Sequence, residues 1–386
     1  MSQTQTDFSA KRKKRTQLKS TKPPPVLPGL PEHIAQLCLS RVQPSLLFNV
    51  CRSWRRLIYS PSFPPFLSLY TLLSSKSHQI LHFYSFDPVA STWEPLPPPP
   101  DPPIDLLLHH PSFLSRKLPV QSVSVSGKLV LLAATTHNFY PALTRPLLFN
   151  PIHRNWVFGP PLNTPRRWCA AGSLHNVVYV ASGIGYQFST EVARSVEKWD
   201  LQKNKYNNNY YHNGGCGGGG GRWEKMKGLK DGTFCRDAVD AVGWRGKLCM
   251  VNVKGYGAKE GVVYDVERDT WREMPEGMIK GWRGPVAAMD EEVMLTVDET
   301  NGALRKYDEE KDDWEEMIIQ SNMLVGAQQI ACGGGRVCVV GGEGGIVVVD
   351  VVAAPPRIWA VDTPNGFQAL AVHILPRMSQ SVPTDY

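Results

Sequence analysis

The stretch VVYDVERDTW (residues 262–271) carries the pattern that decides the fold: an apolar run ends in an acidic residue, and a short polar turn then leads to tryptophan. The pattern recurs as KYDEEKDDW (residues 306–314). Six such acid-or-amide and tryptophan pairs follow one another along the chain: Asp87/Trp93, Asn150/Trp156, Asp200/Trp223, Asp265/Trp271, Asp308/Trp314 and Asp350/Trp359. The distance from Asp265 to Asp308 is 43 residues and that from Asp308 to Asp350 is 42 residues, which is the length of one four-stranded blade. The sequence therefore predicts a β-propeller and, with it, a recognition surface.

Apolar β-branched runs precede these pairs, and each run follows a tight polar turn such as Ser126-Gly127-Lys128. They are continuous rather than alternating, as expected of strands that neighbouring blades bury on both faces. We predict that they form the second strand, b, of five blades: Leu129–Ala134, Val177–Ser182, Leu248–Val253, Val293–Val297 and Val337–Val340.

The first unit, around residues 66–100, has patterns for strands b, c and d only, whereas the chain ends with an apolar run, Phe367 to Leu375, that no further repeat follows. We predict that this run supplies strand a of the first blade and closes the ring. The fold class is then mainly β, a six-bladed propeller over residues 66–377. The acidic side chains should cap the c–d turns, and the six tryptophans should pack in register between blades.

The net charge of +7 is concentrated in the first 25 residues, which hold seven lysines and arginines against Asp7 alone. The rest of the chain is close to neutral, so no nucleic-acid partner is expected. Residues 1–25 and 378–386 are predicted to be disordered tails. The run from Lys11 to Arg15 is typical of a nuclear-import signal, although a solubilising tail has the same composition.

Other features favour an intracellular protein that no membrane anchors. The chain has no apolar leader and no run long enough to span a bilayer. Its eight cysteines are scattered without metal-ligand spacing, which suits buried thiols in a reducing compartment. We expect nuclear and cytoplasmic localisation and no cofactor or metal.

Residues 27–63 have helical periodicity. Pro31 suits the first position of a helix in which Ile34 and Leu37 share a face, and a second run places Leu47, Val50 and Trp54 at helical spacing. So short a segment cannot bury enough apolar surface to be stable alone. It must pack on the propeller or on another protein, and the pattern favours neither.

Specific motifs in this segment resemble an F-box, and the b-strand ending Gly341-Gly342 and the acid-to-tryptophan turns resemble kelch repeats. The F-box motifs are Leu30-Pro31-Glu32, Leu39-Ser40-Arg41, Ser45-Leu46-Leu47 and Val50-Cys51-Arg52-Ser53-Trp54-Arg55. The whole chain resembles plant F-box/kelch-repeat proteins of the Skp1-interacting-partner type. Its stretch between Arg41 and Trp54 is a few residues shorter than the usual F-box pattern.

The resemblance implies a small all-α F-box domain at residues 27–63 and a function as the substrate-recognition subunit of a Skp1–cullin–F-box ubiquitin ligase. The partners would be a Skp1-like adaptor, cullin through that adaptor, and a protein target marked for degradation. The residues expected to contact Skp1 are Leu30, Pro31, Ile34, Leu37, Leu46, Leu47, Val50 and Trp54.

Alternating strand directions bring the b–c and d–a connections to one face of a propeller. Aromatic residues and arginines, which are enriched at interface hot spots, recur in these connections. The predicted substrate-binding residues are Arg167, Trp168, Phe234, Arg236, Trp282, Arg283 and Phe367, and the b–c connections add Phe139, Tyr140, Tyr186, Phe188 and Tyr256. Arginine pairs with carboxylate and phosphate, so we expect an acidic or phosphorylated target segment. The alternative is that Arg236 and Arg283 only link blades.

Catalytic motifs are not indicated. Gly342-Glu343-Gly344-Gly345 lacks the spacing of a nucleotide-binding loop. The acidic residues recur once per blade, so they lie too far apart for paired acid–base chemistry. We therefore predict a non-catalytic substrate receptor. The rival hypotheses are a kelch scaffold without a role in ubiquitination and a propeller enzyme with a dispersed site.

Overall fold

The computed structural model of the chain describes residues 26–60, 62–75, 80–100, 120–186, 190–203, 221–235, 238–253 and 259–379. The chain divides into two compact units, Met1–Phe63 and Pro64–Tyr386. The predicted basic tail, residues 1–25, lies outside the described residues, as do residues 380–386 of the predicted C-terminal tail.

The first unit contains helices α1 (Glu32–Leu39), α2 (Pro44–Val50) and α3 (Arg52–Ile58). Pro44 begins α2, where a missing backbone N–H costs nothing. Residues 47–58, which the periodicity predicts as one helical run, divide at Cys51, whose backbone is extended with φ −160° and ψ 168°. Cys51 is thus the N-terminal flanking residue of α3, and its carbonyl accepts a 3.1 Å hydrogen bond from the Arg55 N–H. The buried apolar residues on these helices are Ala35, Leu39, Leu47, Leu57 and Ile58.

The second unit is a six-bladed propeller, and its described strands form six four-stranded antiparallel sheets. Blade 1 contains β1 (Leu67–Ser75), β2 (Leu81–Asp87) and β3 (Thr92–Pro95). Blade 2 contains β4 (Val120–Val125), β5 (Lys128–Ala134), β6 (Leu147–Asn150) and β7 (Asn155–Phe158). Blade 3 contains β8 (Ala170–Leu174), β9 (Val177–Ala181), β10 (Val196–Asp200) and β11 (Glu224–Lys225), with α4 (Thr190–Arg194) between β9 and β10.

The remaining blades have the same order of strands. Blade 4 contains β12 (Ala238–Trp244), β13 (Lys247–Val253), β14 (Gly261–Asp265) and β15 (Thr270–Glu273), and α5 (Glu276–Gly281) follows it. Blade 5 contains β16 (Val286–Met289), β17 (Val293–Val297), β18 (Leu304–Asp308) and β19 (Asp313–Ile318). Blade 6 contains β20 (Gln329–Gly333), β21 (Arg336–Val340), β22 (Ile346–Asp350) and β23 (Arg357–Val361).

The last strand, β24 (Phe367–Pro376), closes the ring as predicted. It pairs antiparallel with β1 and serves as strand a of blade 1, with His373 opposite Tyr70. The Tyr70 hydroxyl donates a 2.8 Å hydrogen bond to the Pro376 carbonyl. Blade 1 is thereby built from both ends of the repeat array.

The acid-to-tryptophan turns have the predicted structure. In each turn the side-chain oxygen accepts a backbone N–H two or three residues later, at 2.8 Å from Asp87 to Val89 and at 2.9 Å from Asp308 to Glu310. Five of the tryptophans also donate their indole N–H to a carbonyl in the connection that leaves the preceding blade, at 2.7–3.1 Å. These pairs are Trp93 to Asp362, Trp156 to Pro97, Trp223 to Pro160, Trp271 to Lys227 and Trp314 to Met278.

Trp359 does not belong to this series, so the prediction that all six tryptophans are in register is wrong for blade 6. The residue opposite Val349 is Ile358, in the position that Trp314 occupies opposite Tyr307 in blade 5. The turn from Asp350 to Arg357 is two residues longer than that from Asp308 to Asp313, so a tryptophan nine residues after the aspartate is one residue out of phase. A shift by one residue turns a side chain to the other face of the sheet. Trp359 is consequently 40% exposed.

Apolar clusters fill the spaces between successive blades. One cluster joins blades 4 and 5 through Trp244, Met294 and Trp314, and another joins blades 5 and 6 through Leu295, Val339 and Ile358. The innermost strands surround a central channel of about 220 Å³. Neighbouring blades cover every b strand on both faces. The connections between strands are therefore the described parts of the propeller that can present side chains to a partner.

Candidate functional site

Two surfaces are candidates for binding. The first, which we call the adaptor surface, is the set of exposed apolar residues on the helical unit. The second, the upper face of the propeller, is formed by the b–c connections within blades and the d–a connections between blades.

The adaptor surface contains most of the residues predicted to contact Skp1. Large apolar side chains are exposed to solvent on this surface: Leu30 is 40% exposed, Ile34 36%, Leu37 59%, Leu46 59% and Val50 58%. Pro31 is also exposed. Side chains of this size are more often buried, and exposed apolar patches are typical of interaction sites.

Two predicted Skp1 contacts are placed differently. Leu47 is 1% exposed and belongs to the buried residues of the helical unit. Trp54 is half-buried, and its indole N–H donates a 3.2 Å hydrogen bond to the Val26 carbonyl. Leu47 therefore contributes to the helical unit as a core residue, not as a contact.

On the upper face, the connections of blades 2 and 3 bring four aromatic side chains into an aromatic patch: Phe139, Tyr140, Trp168 and Tyr186. The rings of Phe139 and Trp168 lie 6.3 Å apart, and those of Tyr140 and Tyr186 lie 6.1 Å apart. Tyr140 is 51% and Tyr186 52% exposed. Aromatic rings that are already held by neighbours lose little entropy on binding, so they serve well as contacts.

Arg167 is buried and connects the backbone segments that carry this patch. Its backbone forms two reciprocal 2.9 Å hydrogen bonds with Ile184, which join the connection of blade 2 to that of blade 3. Its guanidinium donates a 2.9 Å hydrogen bond to the Gly185 carbonyl and lies 4.9 Å from the centre of the Trp168 ring. The close approach requires glycine at position 183, where φ is +97° and an added Cβ would lie 2.7 Å from the Arg167 carbonyl oxygen. Burial lowers the pKa of Arg167 below its ordinary value.

Two patch residues have left-handed backbones that bulky side chains rarely adopt. Phe139 has φ 60° and Trp168 has φ 51°. Phe139 is held in a tight turn, since its N–H donates to the Thr136 carbonyl at 2.9 Å. Such backbones persist where the surrounding structure holds them, so the two rings have fixed positions.

The adjacent Arg166 has a structural role. Its guanidinium pairs with Glu197 inside the protein, where the two side chains are 0% and 2% exposed. It also donates to the Ser195 hydroxyl at 2.7 Å and to the Ser182 carbonyl at 3.2 Å. This pair links the connection of blade 2 to strand β10 of blade 3.

Two predicted substrate-binding residues lie in the core, which corrects the sequence interpretation. Trp282 is 1% exposed, and its indole N–H donates a 3.2 Å hydrogen bond to Asp240. Phe234 is 4% exposed in the cluster between blades 3 and 4. Both rings fill space between neighbouring blades.

The other predicted residues are dispersed. Arg283 is exposed, with Nη1 3.9 Å from the Asp298 carboxylate, which also accepts a hydrogen bond from Arg305. Burial raises the pKa of Asp298, but hydrogen bonds from Thr300 and the charges of the two arginines outweigh it and keep the pKa below its usual value. Phe367 packs on His82 and Tyr84 at 4.9 and 5.6 Å. Arg236, Phe188 and Tyr256 lie outside the described residues.

The described residues contain no group of three side chains that could hold a metal ion. Among the described helices, none has the length and apolarity to cross a bilayer. The structure thus brings together Arg167, Trp168 and the aromatic residues of two b–c connections, and it separates Phe234, Trp282, Arg283 and Phe367 from them.

Sequence reasoning missed how the patch is organised. The position of Arg167 before strand a does not indicate its bridge to Ile184 in the following blade. Only Ser182-Gly183, a diverged strand ending where the backbones approach closely, could have indicated this bridge.

The chain thus combines a six-bladed propeller with a helical unit that exposes apolar side chains. The chain is 49% identical over 367 residues to the F-box/kelch-repeat protein SKIP25 of Arabidopsis thaliana. The alignment covers 92% of this chain and 90% of SKIP25. It is 23% identical over 277 residues to the F-box protein AFR of the same plant. That alignment covers 68% of this chain and 66% of AFR. No family model matches the sequence. The chain belongs to the F-box/kelch-repeat family, which confirms the resemblance.

Proposed function

We propose that this chain is the substrate-recognition subunit of a Skp1–cullin–F-box ubiquitin ligase. The observation that carries the proposal is the adaptor surface, which exposes Leu37, Leu46 and Val50 by more than half in a unit whose sequence has the F-box motifs. Burying such side chains against a partner contributes ~25 cal/mol per Å² of apolar area. A Skp1-like adaptor would supply that partner and the connection to cullin.

In this proposal the chain is not a catalyst. The propeller holds a target protein while the adaptor brings the ligase machinery to it, so that the contribution is proximity and orientation. The basic run from Lys11 to Arg15 would direct part of the protein to the nucleus, with the remainder in the cytoplasm.

The aromatic patch is the part of the upper face best suited to contact the target. The guanidinium groups of Arg166 and Arg167 are buried and bonded within the protein. An acidic or phosphorylated target segment would therefore be recognised by Arg283, whose side chain is 53% exposed.

Co-expression of the full chain with a Skp1-like adaptor tests the proposal. Size-exclusion chromatography with light scattering should give a stable 1:1 complex, and the double variant Leu37→Glu/Val50→Glu should lose it. The matched control is Ile319→Glu, because Ile319 is 75% exposed in the propeller unit and should leave the complex intact. Failure of the wild-type chain to form the complex would favour a kelch scaffold without a role in ubiquitination.

The downstream step needs a separate experiment. Proteins captured under proteasome inhibition by the full chain and by a variant lacking residues 27–63 should be the same, but only the full chain should yield ubiquitinated targets. Equal ubiquitination in both samples would show that the helical unit does not recruit the ligase.

A further inference from the structure

A large apolar cavity lies between blades 1 and 2. It has a volume of about 570 Å³ and opens beside the d–a connection that leaves blade 1 and the b–c connection of blade 2. Its walls come from Phe83 and Leu96 of blade 1 and from Leu131, Leu143 and Phe158 of blade 2. Cavities of ~300–1,000 Å³ with apolar walls and few polar groups are typical of small-molecule sites.

Arg145 is the one charged residue among the described residues that line this cavity. Its Nε donates a 2.9 Å hydrogen bond to the Gly159 carbonyl, and its guanidinium lies 5.3 Å from the centre of the Phe158 ring. These contacts fix the side chain and leave its charge without a carboxylate, since no acidic residue of the described chain forms an ion pair with it. A cation beside apolar walls attracts an anion. A carboxylate suits arginine in particular, because the guanidinium group forms charge-assisted hydrogen bonds with both carboxylate oxygens.

Among the described lining residues, histidine is the other basic type. His82 also lines the cavity, and burial lowers its pKa below the ordinary value, which favours the uncharged ring. The ring packs edge-on against Phe367 at 4.9 Å. The described part of the cavity wall therefore offers the positive charge of Arg145 and no acidic side chain.

We propose that this cavity binds a small carboxylic acid with an apolar body, its carboxylate paired with Arg145 and its body among Phe83, Leu131 and Phe158. The size of the cavity suits a compact molecule, and the single cation suits one negative charge. The inference goes beyond the proposed function and does not depend on it, because the site would exist whether or not the chain recruits a ligase.

Isothermal titration calorimetry on the full chain tests the site with nonanoate and, as an uncharged probe of the same length, 1-nonanol. We expect nonanoate to bind at least tenfold more tightly than 1-nonanol. Arg145→Met should weaken nonanoate about tenfold and leave 1-nonanol unchanged, whereas Arg145→Lys should retain most of the preference. Ala142→Trp, which fills the cavity from its wall, should remove binding of both probes.

Arg194→Met is the matched control, because Arg194 is also on a b–c connection and also donates its Nε to a carbonyl, that of Leu229, at 3.1 Å. It should bind nonanoate as the wild type does. Equal affinity for the two probes, unchanged binding by Arg145→Met or an absence of binding at millimolar nonanoate would each overturn the proposal.

One further variant separates an external ligand from the chain itself. Residues 101–119, which lie outside the described residues, connect Pro100 to Val120, and Pro99 and Val120 both line the cavity. Replacing residues 104–108 (IDLLL) with glycine and serine should leave nonanoate affinity unchanged. Binding that appears only in this variant would mean that the chain fills its own cavity, and the proposal would be wrong.

Discussion

The Nδ1 atom of His373 lies 2.9 Å from the Oγ atom of Ser124, a residue 249 positions earlier in the chain. On its other side, the Nε2 atom lies 2.8 Å from the hydroxyl of Ser122. His373 is 4% exposed on the closing strand β24, and both serines are on the innermost strand of blade 2. A single neutral imidazole thus joins the closing strand to the neighbouring blade.

This arrangement predicts that the propeller is less stable in acid. Burial lowers the pKa of His373 from 6.5 to about 4, so the unfolded chain takes up the proton first as the pH falls. The contribution is fully present above pH 6.5 and is lost as the pH falls from 6.5 towards 4. Between pH 7 and pH 5 the free energy of unfolding should decrease by about 2 kcal/mol from this group. Urea unfolding at both pH values measures the loss, and His373→Gln should reduce it; an equal loss in the variant would assign the effect to other groups.

The tryptophan register predicts a contrast between two substitutions. Trp314→Ala removes a 7% exposed ring and its bond to the Met278 carbonyl, and should cost about 3–5 kcal/mol of unfolding free energy. Trp359→Ala removes a 40% exposed ring and should cost less than about 1 kcal/mol. Urea denaturation of the two variants side by side checks this, and equal costs would contradict the register assigned to blade 6.

The buried ion pair predicts a non-additive pair of substitutions. Arg166→Met alone leaves the buried Glu197 carboxylate with Asn163 as its hydrogen-bond donor among the described residues, and should destabilise the propeller by about 3–5 kcal/mol. Adding Glu197→Leu removes that unpaired charge and should recover part of the loss. Unfolding free energies of the two single variants and the double variant form the cycle. Simple additivity would show that the two charges do not depend on each other.

The aromatic patch predicts loss of target capture without loss of stability. Tyr140→Ala/Tyr186→Ala removes two half-exposed rings and should shift the melting temperature little, because neither ring is in the core. Capture of target proteins from lysate should fall severalfold, while the adaptor complex stays intact. Trp282→Ala is the contrasting variant, since it should lower the melting temperature by removing a core ring. Undiminished capture by the double tyrosine variant would move the binding site elsewhere.

The propeller was predictable from the chain because its signals are local and repeat. Asp265 and Trp271 lie in one turn, and the apolar b strands need only a neighbouring blade to cover them. The closing strand was also predictable. The first unit lacks a pattern for strand a, and the run from Phe367 to Leu375 is a strand pattern that belongs to no other repeat. The register of Trp359 was predicted wrongly, because the spacing of an aspartate and a tryptophan does not reveal two added turn residues.

The site was less predictable because it depends on which way a connection folds. Trp282 and Arg283 are adjacent in sequence, yet one is buried and the other exposed. The bridge between Arg167 and Ile184 and the contact between His373 and Ser122 join different blades. No periodicity within one repeat encodes such contacts.

The closing strand has a consequence for biosynthesis. Strand β1 leaves the ribosome early, whereas β24, its inner neighbour, is translated after the other described strands. At about 5–20 residues per second, β1 waits for some tens of seconds with one edge unsatisfied. A product truncated before Phe367 would leave β1 with a bare strand edge, which is prone to aggregation. The ring therefore closes only after β24 has been translated, because this strand supplies the missing edge of blade 1.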